Sequence, residues 1–216
     1  MSVLTDARWV VPPLPDGDGR GMDRLRRSVS RFSTGREHAK RRAVIEAILA
    51  QIDPDALRVA ARRLAEADPA HPVVPRVPLT ALAGALGAHH PTAVAALVQP
   101  VAAAYLPGSE GGPAADAAAD ELLDRLGAAR AAVLVQSCLP VTAWVRTALD
   151  RGITLDEVLA TAPPVPATRR CREGETVTVA LDGIPFGEGP RRCPGVAHAR
   201  ALADGVLDAL RPTAAV

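Results

Sequence analysis

Phe186-Gly-Glu-Gly-Pro-Arg-Arg-Cys-Pro-Gly195 is a turn-rich stretch that leads directly into a helical pattern near the end of the sequence. Its single cysteine, Cys193, would be favoured as a thiolate by the amides and positive dipole end of the helix that follows. Gly187 and Gly195 would let the backbone approach a flat group closely, because no Cβ is in the way. Arg191 would be placed to meet a carboxylate on that group. The alternative is a glycine-rich turn around a buried structural cysteine.

This stretch resembles the heme-binding loop of the cytochrome P-450 family, Phe-x-x-Gly-x-Arg/His-x-Cys-x-Gly, at every fixed position. In that family a cysteine thiolate is the axial ligand of the heme iron. The resemblance implies heme b as cofactor, Cys193 as iron ligand and catalytic residue, and Arg191 as a propionate partner. It also places Phe186 beside the thiolate and assigns Gly187 and Gly195 to the heme-binding loop.

Length and composition set the limits for this interpretation. A chain of 216 residues can build one good core or at most two small domains. The net charge of +1 gives no general attraction to nucleic acid or to an anionic membrane. Cys138, Cys171 and Cys193 are too widely spaced for a disulfide framework or a zinc pattern, which favours a reducing cytoplasm. We expect residues 1–21 to be an irregular lead-in and residues 22–216 to form a single domain, which by the resemblance binds heme.

Targeting and membrane segments are not expected. The N-terminus lacks the continuous apolar region of a signal peptide, since Asp6 interrupts it. Val77–Ser109 contains no acidic residue, lysine or arginine, but glycine and proline divide it into short pieces. Buried helices rich in alanine and leucine are therefore favoured over a membrane span.

A basic run extends from Arg20 to Arg42 and changes at its end to helical periodicity, in which His38 and Arg42 share one face. A charge run of this kind is usually a solvated face. The pattern is also similar to the C-helix of the P-450 family, whose histidine and arginine bind a heme propionate, and the resemblance assigns that role to His38 and Arg42. The other arginines would flank the face on which the family docks acidic redox partners, although solubility explains them equally well.

Two further helices are predicted over Ala114–Leu126 and Ala128–Leu149, separated by Gly127, which is typical of a helix C-cap. The second resembles the helix that crosses the distal side of the heme. Family members carry there an acid followed by threonine, which relay protons to dioxygen. Leu139 and Pro140 stand at those positions in this sequence.

Pro140 removes one helix hydrogen bond and predicts a kink near the heme. The candidates for the distal pocket are Gln136, Ser137, Pro140 and Thr142. For the hydroxyl groups of Ser137 and Thr142, bonding back to helix carbonyls is the alternative.

The remaining patterns lie between this helix and the cysteine. Thr154-Leu-Asp-Glu157 predicts a capping box, and the Glu-x-x-Arg motif that the resemblance would place there ends in Ala160. Arg169, with Arg170 as the fallback, resembles an arginine that binds another propionate. Thr176–Leu181 alternates with period two and predicts a strand.

The expected fold class is mainly α with a small β element, and the resemblance makes it a compact, truncated P-450-like fold around a heme. The expected function is a heme-thiolate oxidoreductase acting on a small organic molecule, with specialised metabolism as the setting. The missing acid and threonine favour peroxide as oxidant, or non-oxidative chemistry such as dehydration or rearrangement.

The expected partners are a small-molecule substrate and a ferredoxin-type redox partner or a partner enzyme. A non-catalytic P-450-like auxiliary protein that stabilises a partner enzyme is the main alternative. A heme sensor or carrier is a third possibility, which no specific residue supports.

Overall fold

The computed structural model describes residues 2–67, 76–106, 108–109 and 111–210. These residues form eight α-helices and one two-stranded sheet, so the predicted mainly helical fold with a small β element is confirmed. The helices are α1 (Gly21–Ser28), α2 (Gly35–Leu49), α3 (Pro54–Ala67), α4 (Arg76–Ala85), α5 (Pro91–Ala103), α6 (Gly112–Arg151), α7 (Leu155–Thr161) and α8 (Val196–Leu210). The strands are β1 (Ala167–Arg172) and β2 (Glu175–Ala180).

Helix α6 is the longest element and forms the centre of the core. Its backbone leaves helical geometry at Gly127 (φ 73°, ψ 163°), so the two predicted helices meet where the sequence placed their boundary. Pro140, by contrast, lies within a stretch of helical backbone dihedrals, and the break lies at Gly127 alone. Proline fits helical φ and deprives only one carbonyl of its partner. Leu122, Leu134 and Trp144 of this helix are fully buried.

Helices α3 and α8 pack closely together, and this contact fixes the start of α8 beside the cysteine loop. A Cβ on Gly205 would lie 2.3 Å from the carbonyl oxygen of Arg58, so only glycine fits at the crossing. The guanidinium of Arg58 also donates to Asp208 at 2.7 Å. The start of α3 follows the predicted pattern, since the Asp53 carboxylate accepts the backbone N–H of Asp55 at 3.0 Å.

The sheet is an antiparallel hairpin in which Arg172 lies opposite Glu175. Its two connecting residues, Glu173 and Gly174, both have positive φ (52° and 86°), as a type I′ turn requires. β2 was predicted from its alternation, whereas β1 was not predicted as a strand. Its sequence, Ala-Thr-Arg-Arg-Cys-Arg, lacks the apolar alternation that marks a half-buried strand.

Of the smaller elements, some agree with the prediction from the sequence and some do not. The capping box is present, with the Glu157 carboxylate accepting the Thr154 N–H at 2.7 Å and the Thr154 hydroxyl accepting the Glu157 N–H at 3.2 Å. The proline-rich run from position 71 to position 78 predicts a loop. This prediction is wrong at its end, because α4 begins at Arg76 and Pro78 lies in its first turn, where no N–H is needed. Residues 71–75 lie outside the described part of the chain.

Among the described residues, one helix, Gly112–Arg151, is long and apolar enough by length and composition to cross a membrane. A core helix of a soluble protein passes the same test. The break at Gly127 and the fifteen buried residues of this helix are features of a core helix.

Candidate functional site

Cys193 lies in a turn that β2 and α8 hold from its two sides. The backbone N–H of Cys193 donates to the carbonyl of Phe186 at 2.9 Å, and that of Gly187 donates to Ile184 at 2.7 Å. Gly187 and Gly189 adopt φ of 70° and 65°, where a side chain would be strained. These contacts fold the loop into a tight turn with the thiol on its inner side, facing the cavity described below.

Opposing influences act on the Cys193 thiol. Burial raises its pKa, because a thiolate loses hydration there. A backbone hydrogen bond from Gly195 and the nearby charges of Arg42 and Arg192 lower the pKa in opposition, and burial outweighs them. The raised pKa favours the protonated thiol, whereas the neighbouring groups would favour a thiolate once a metal replaced the proton.

Phe186 is held by an aromatic contact from the opposite wall. Its ring lies 5.8 Å from the ring of Trp144, edge to face at 65°. The indole N–H of Trp144 donates to the carbonyl of Leu155 at 2.8 Å, and the guanidinium of Arg200 lies 5.5 Å from the indole centre. Trp144 thus positions the start of the cysteine loop against α6.

A cavity of about 850 Å³ opens in front of Cys193. Its walls come from α2, α6, α8, both strands, the cysteine loop and the N-terminal segment. Apolar side chains, among them Val133, Val141 and Leu202, outnumber polar ones in its lining. This volume lies in the range typical of sites that bury a small molecule or cofactor.

Cationic side chains gather in the lining of this cavity: His38, Arg42, Arg31, Arg170 and Arg191. Burial, followed by Arg191, Arg42 and Arg170, lowers the pKa of His38 to about 4. Burial, followed by Arg170, Arg31 and Arg42, lowers the pKa of Arg191 to about 10. Each pKa falls mainly because burial disfavours the charged form, and the neighbouring positive charges add to the effect.

The cationic side chains are fixed by backbone carbonyls and neighbouring polar groups. Arg191 donates to the carbonyl of Ser33 at 2.5 Å. Arg42 donates to the Glu46 carboxylate at 2.7 Å and to the carbonyl of Arg192 at 2.5 Å, so it joins α2 to the cysteine loop. Among the described residues Arg31, Arg170 and Arg191 make no ion pair with a carboxylate. The cluster is consequently built to accept anionic groups.

Arg169 and Arg170 both reach the cavity lining but differ in burial, because successive strand residues point to opposite faces. Arg169 is exposed, whereas Arg170 is only 7% exposed. Arg170 donates to the Thr168 hydroxyl at 3.0 Å and to the carbonyl of Arg169 at 2.9 Å. Arg170, the second choice from the sequence, is thus the residue that the fold buries beside Arg31 and Arg191.

Of the distal candidates, Gln136, Ser137 and Pro140 line the cavity, and Thr142 is absent from its lining. The Ser137 hydroxyl donates to the carbonyl of Leu134 at 2.8 Å, which is the back-bonded alternative. The Gln136 amide donates to the carbonyl of Ala132 at 3.2 Å. Leu139 is 52% exposed and points away from the cavity. The α6 wall therefore offers no carboxylate to the cavity.

Part of the basic run of the sequence is paired with carboxylates within the chain. Arg24 bonds Asp120, Arg27 bonds Asp23, and Arg41 bonds Glu37, all within 3.0 Å. Arg36 and Lys40 are exposed on α2. This pairing weakens the argument that the run as a whole forms a docking face for an acidic partner.

The residues fit a heme with one thiolate ligand. Among the described residues no group of three or more metal-ligating side chains occurs. The thiol of Cys193 lines the cavity and could serve as the one axial thiolate of a heme. A Cβ on Gly195 would meet only Leu49, at 3.7 Å, and one on Gly187 would meet nothing within 4 Å. Open space thus lies over the loop, and cations for two propionates line the same cavity.

Several residues of the site were missed from the sequence. Arg31 and Trp144 reach it only through tertiary packing. His198 brings its Nε2 to 3.0 Å from the carbonyls of Leu49 and Ile52, while its buried Nδ1 has no partner in the described chain. The only sequence signal for His198 was its position five residues after Cys193.

The architecture is a cytochrome P-450-like fold. The chain matches a solved structure described as P450BioI in complex with hexadec-9Z-enoic acid ligated acyl carrier protein, with a TM-score of 0.70 and 13% sequence identity. The match covers 95% of this chain and 81% of that chain. No protein-family model matches the sequence, and no curated protein matches it significantly.

Proposed function

We propose that the protein binds heme b through the thiolate of Cys193 and oxidises a small organic molecule with peroxide. The observation that carries the proposal is the convergence of Cys193 and the cation cluster on one cavity of a P-450-like fold. A structural cysteine would explain the turn but not the gathering of Arg170 and Arg191 beside it. When bound, heme supplies redox chemistry at an iron made electron-rich by its thiolate ligand.

The chain's own residues would hold the cofactor in defined ways. Arg170 and Arg191, with Arg31 at the exposed edge, would pair the two propionates by charge-assisted hydrogen bonds. Arg42 extends the same positive surface from α2, and His38, which its lowered pKa leaves neutral at pH 7, adds an imidazole beside it. Propionates would offset the neighbouring positive charges that, after burial, lower the pKa values of His38 and Arg191, so cofactor and cluster would stabilise each other.

The α6 wall favours peroxide as the oxidant. Dioxygen chemistry needs protons delivered at the reacting centre, and this wall presents only a back-bonded hydroxyl and an amide. Hydrogen peroxide already contains the two protons and two electrons that dioxygen would have to receive from outside. A substrate C–H bond and hydrogen peroxide then give C–OH and water, with no external reductant.

The lining indicates the kind of substrate. Apolar side chains outnumber polar ones in the lining, which also carries the cation cluster. An aliphatic molecule or an aliphatic part of a larger one is therefore favoured. The structural neighbour is complexed with a fatty-acyl acyl carrier protein, and delivery of the substrate on a carrier protein is a second form of the same proposal.

Reconstitution followed by turnover tests the proposal. The protein is titrated with hemin, and a model aliphatic substrate is then offered with hydrogen peroxide or with a reductase, ferredoxin and NADPH. The proposal expects one hemin per chain and hydroxylated product with peroxide. Product formed with the reductase system alone would contradict the choice of oxidant. Stoichiometric hemin with no turnover under either condition would favour the non-catalytic auxiliary protein.

A further inference from the structure

The N-terminal segment crosses the site that holds Cys193. Residues 2–13, here called the strap, begin with a turn in which Leu4 is only 6% exposed although it lies outside the contiguous hydrophobic core. A Cβ on Gly189 of the cysteine loop would lie 2.9 Å from the carbonyl oxygen of Leu4 and 3.3 Å from the methyl group of Thr5. The strap therefore packs directly on the loop that carries Cys193.

The other end of the strap is joined to β1. The Val10 N–H donates to the Cys171 carbonyl at 3.0 Å, and the Cys171 N–H donates to the Val10 carbonyl at 2.8 Å. The guanidinium of Arg172 lies 4.8 Å from the centre of the Trp9 ring. Because Arg170 lies next to Cys171, the strap connects the strand that carries a cavity cation to the loop that carries the thiol.

The strap is also a wall of the cavity, to which it contributes Leu4, Val11, Pro12 and Pro13. The helical walls are anchored through side chains of the hydrophobic core, such as Ile45, Val141 and Leu202. The strap is held by one pair of backbone hydrogen bonds to Cys171, a hydrogen bond from the Cys171 thiol to the Val11 carbonyl at 3.5 Å, one ring contact, and the packing of Leu4 and Thr5 on the cysteine loop. Segments with so few buried contacts open at a low free energy compared with the core.

We infer that the strap is a positioning segment of the heme site, which closes the cavity over its occupant and opens to let that occupant pass. The inference rests on the proposed function for the identity of the occupant. Closure presses the cysteine loop against the cofactor from one end and holds β1 with Arg170 at the other. Loosening the strap should accelerate both uptake and release, because the same opening precedes each.

Val10→Pro tests the inference, since proline removes the N–H that donates to Cys171. Val10→Ala is the matched control, because it loses the same side chain and keeps the N–H. Release is followed as transfer of hemin to an excess of an apo-heme acceptor protein. Loss of one ladder hydrogen bond is expected to speed release roughly threefold to tenfold, and Val10→Ala should stay within about twofold of wild type.

Uptake is measured in hemin-free protein with the anionic dye anilinonaphthalene sulfonate, which suits an apolar cavity with a cationic edge. Val10→Pro should bind the dye faster, and Leu4→Ser, which loosens the other end, should do the same. Circular dichroism checks that both variants are folded. Faster release with unchanged dye uptake, or rates equal to those of Val10→Ala, would overturn the inference. A wild-type protein that takes up no hemin overturns the proposed function, while the dye still tests the strap.

Discussion

At the scale of single residues, the site depends on a contrast between two neighbouring arginines. Arg169 and Arg170 are adjacent in the sequence, and a sequence motif cannot separate them. The strand separates them, because it exposes Arg169 and buries Arg170 against the charges of Arg31 and Arg191. A buried cation without a carboxylate costs free energy unless an anion arrives.

Arg170→Gln should therefore weaken hemin binding by about tenfold or more, since a hydrogen bond to a charged group contributes about 1.5–3 kcal/mol. Arg169→Gln, the matched control on the exposed face, should change the affinity by less than about threefold. Hemin titration of both variants measures the difference. Equal losses, or a larger loss for Arg169→Gln, would mean that the exposed residue holds the propionate.

At the scale of elements, the site is positioned by helix packing more than by the cysteine turn alone. The α3–α8 contact fixes where α8 begins, and Cys193 lies just before that helix. Gly205 permits the close approach, because its missing Cβ leaves room for the Arg58 carbonyl. The contact thus links Cys193 to α3, a helix that contributes no residue to the described cavity lining.

Gly205→Ala should destabilise the protein by about 1–3 kcal/mol, the usual cost of forcing extra volume into a packed contact. Gly84→Ala is the control, because its Cβ would meet only Pro91 at an ordinary 3.7 Å and alanine favours the helix. Thermal or urea unfolding of both variants measures the effect. An unchanged midpoint for Gly205→Ala would show that α3 and α8 can separate without cost.

Local patterns predicted local features. Gly127, the capping box at Thr154 and the turn around Cys193 each depend on residues close in sequence, and the structure contains all three. β1 was not predicted, because it is a strand through its pairing with β2 and Val10 and its own side chains carry no strand pattern. Trp144 and Phe186 meet across 42 positions of the chain, a distance over which no sequence spacing is informative.

At the scale of the whole molecule, the cation cluster makes stability depend on pH. The folded-state pKa of His38 is about 4, below the ordinary value of 6.5. The unfolded chain therefore binds more protons between these pH values. The stability associated with neutral His38 is fully present above pH 6.5 and is lost as the pH falls through the folded-state pKa.

In hemin-free protein, the unfolding free energy should fall between pH 6.5 and about 4 with a contribution from His38 that His38→Gln removes. That contribution is at most about 1.4 kcal/mol per pH unit, and solvent screening reduces it. Bound hemin should also reduce the pH dependence of the unfolding free energy, because its propionates would let His38 keep its proton. Urea unfolding at several pH values measures this. Identical pH profiles for the wild type and His38→Gln would contradict it.

The central claim is that Cys193 is a thiolate ligand of heme iron, and the absorbance spectrum of the ferrous carbon-monoxide complex tests it most directly. The wild-type protein reconstituted with hemin should give the red-shifted band that thiolate ligation produces. Cys171→Ser, which removes another partly buried thiol, should keep that band, and Cys193→Ser should lose it. A wild-type protein that takes up no hemin, or a red-shifted band that survives in Cys193→Ser, would contradict the account.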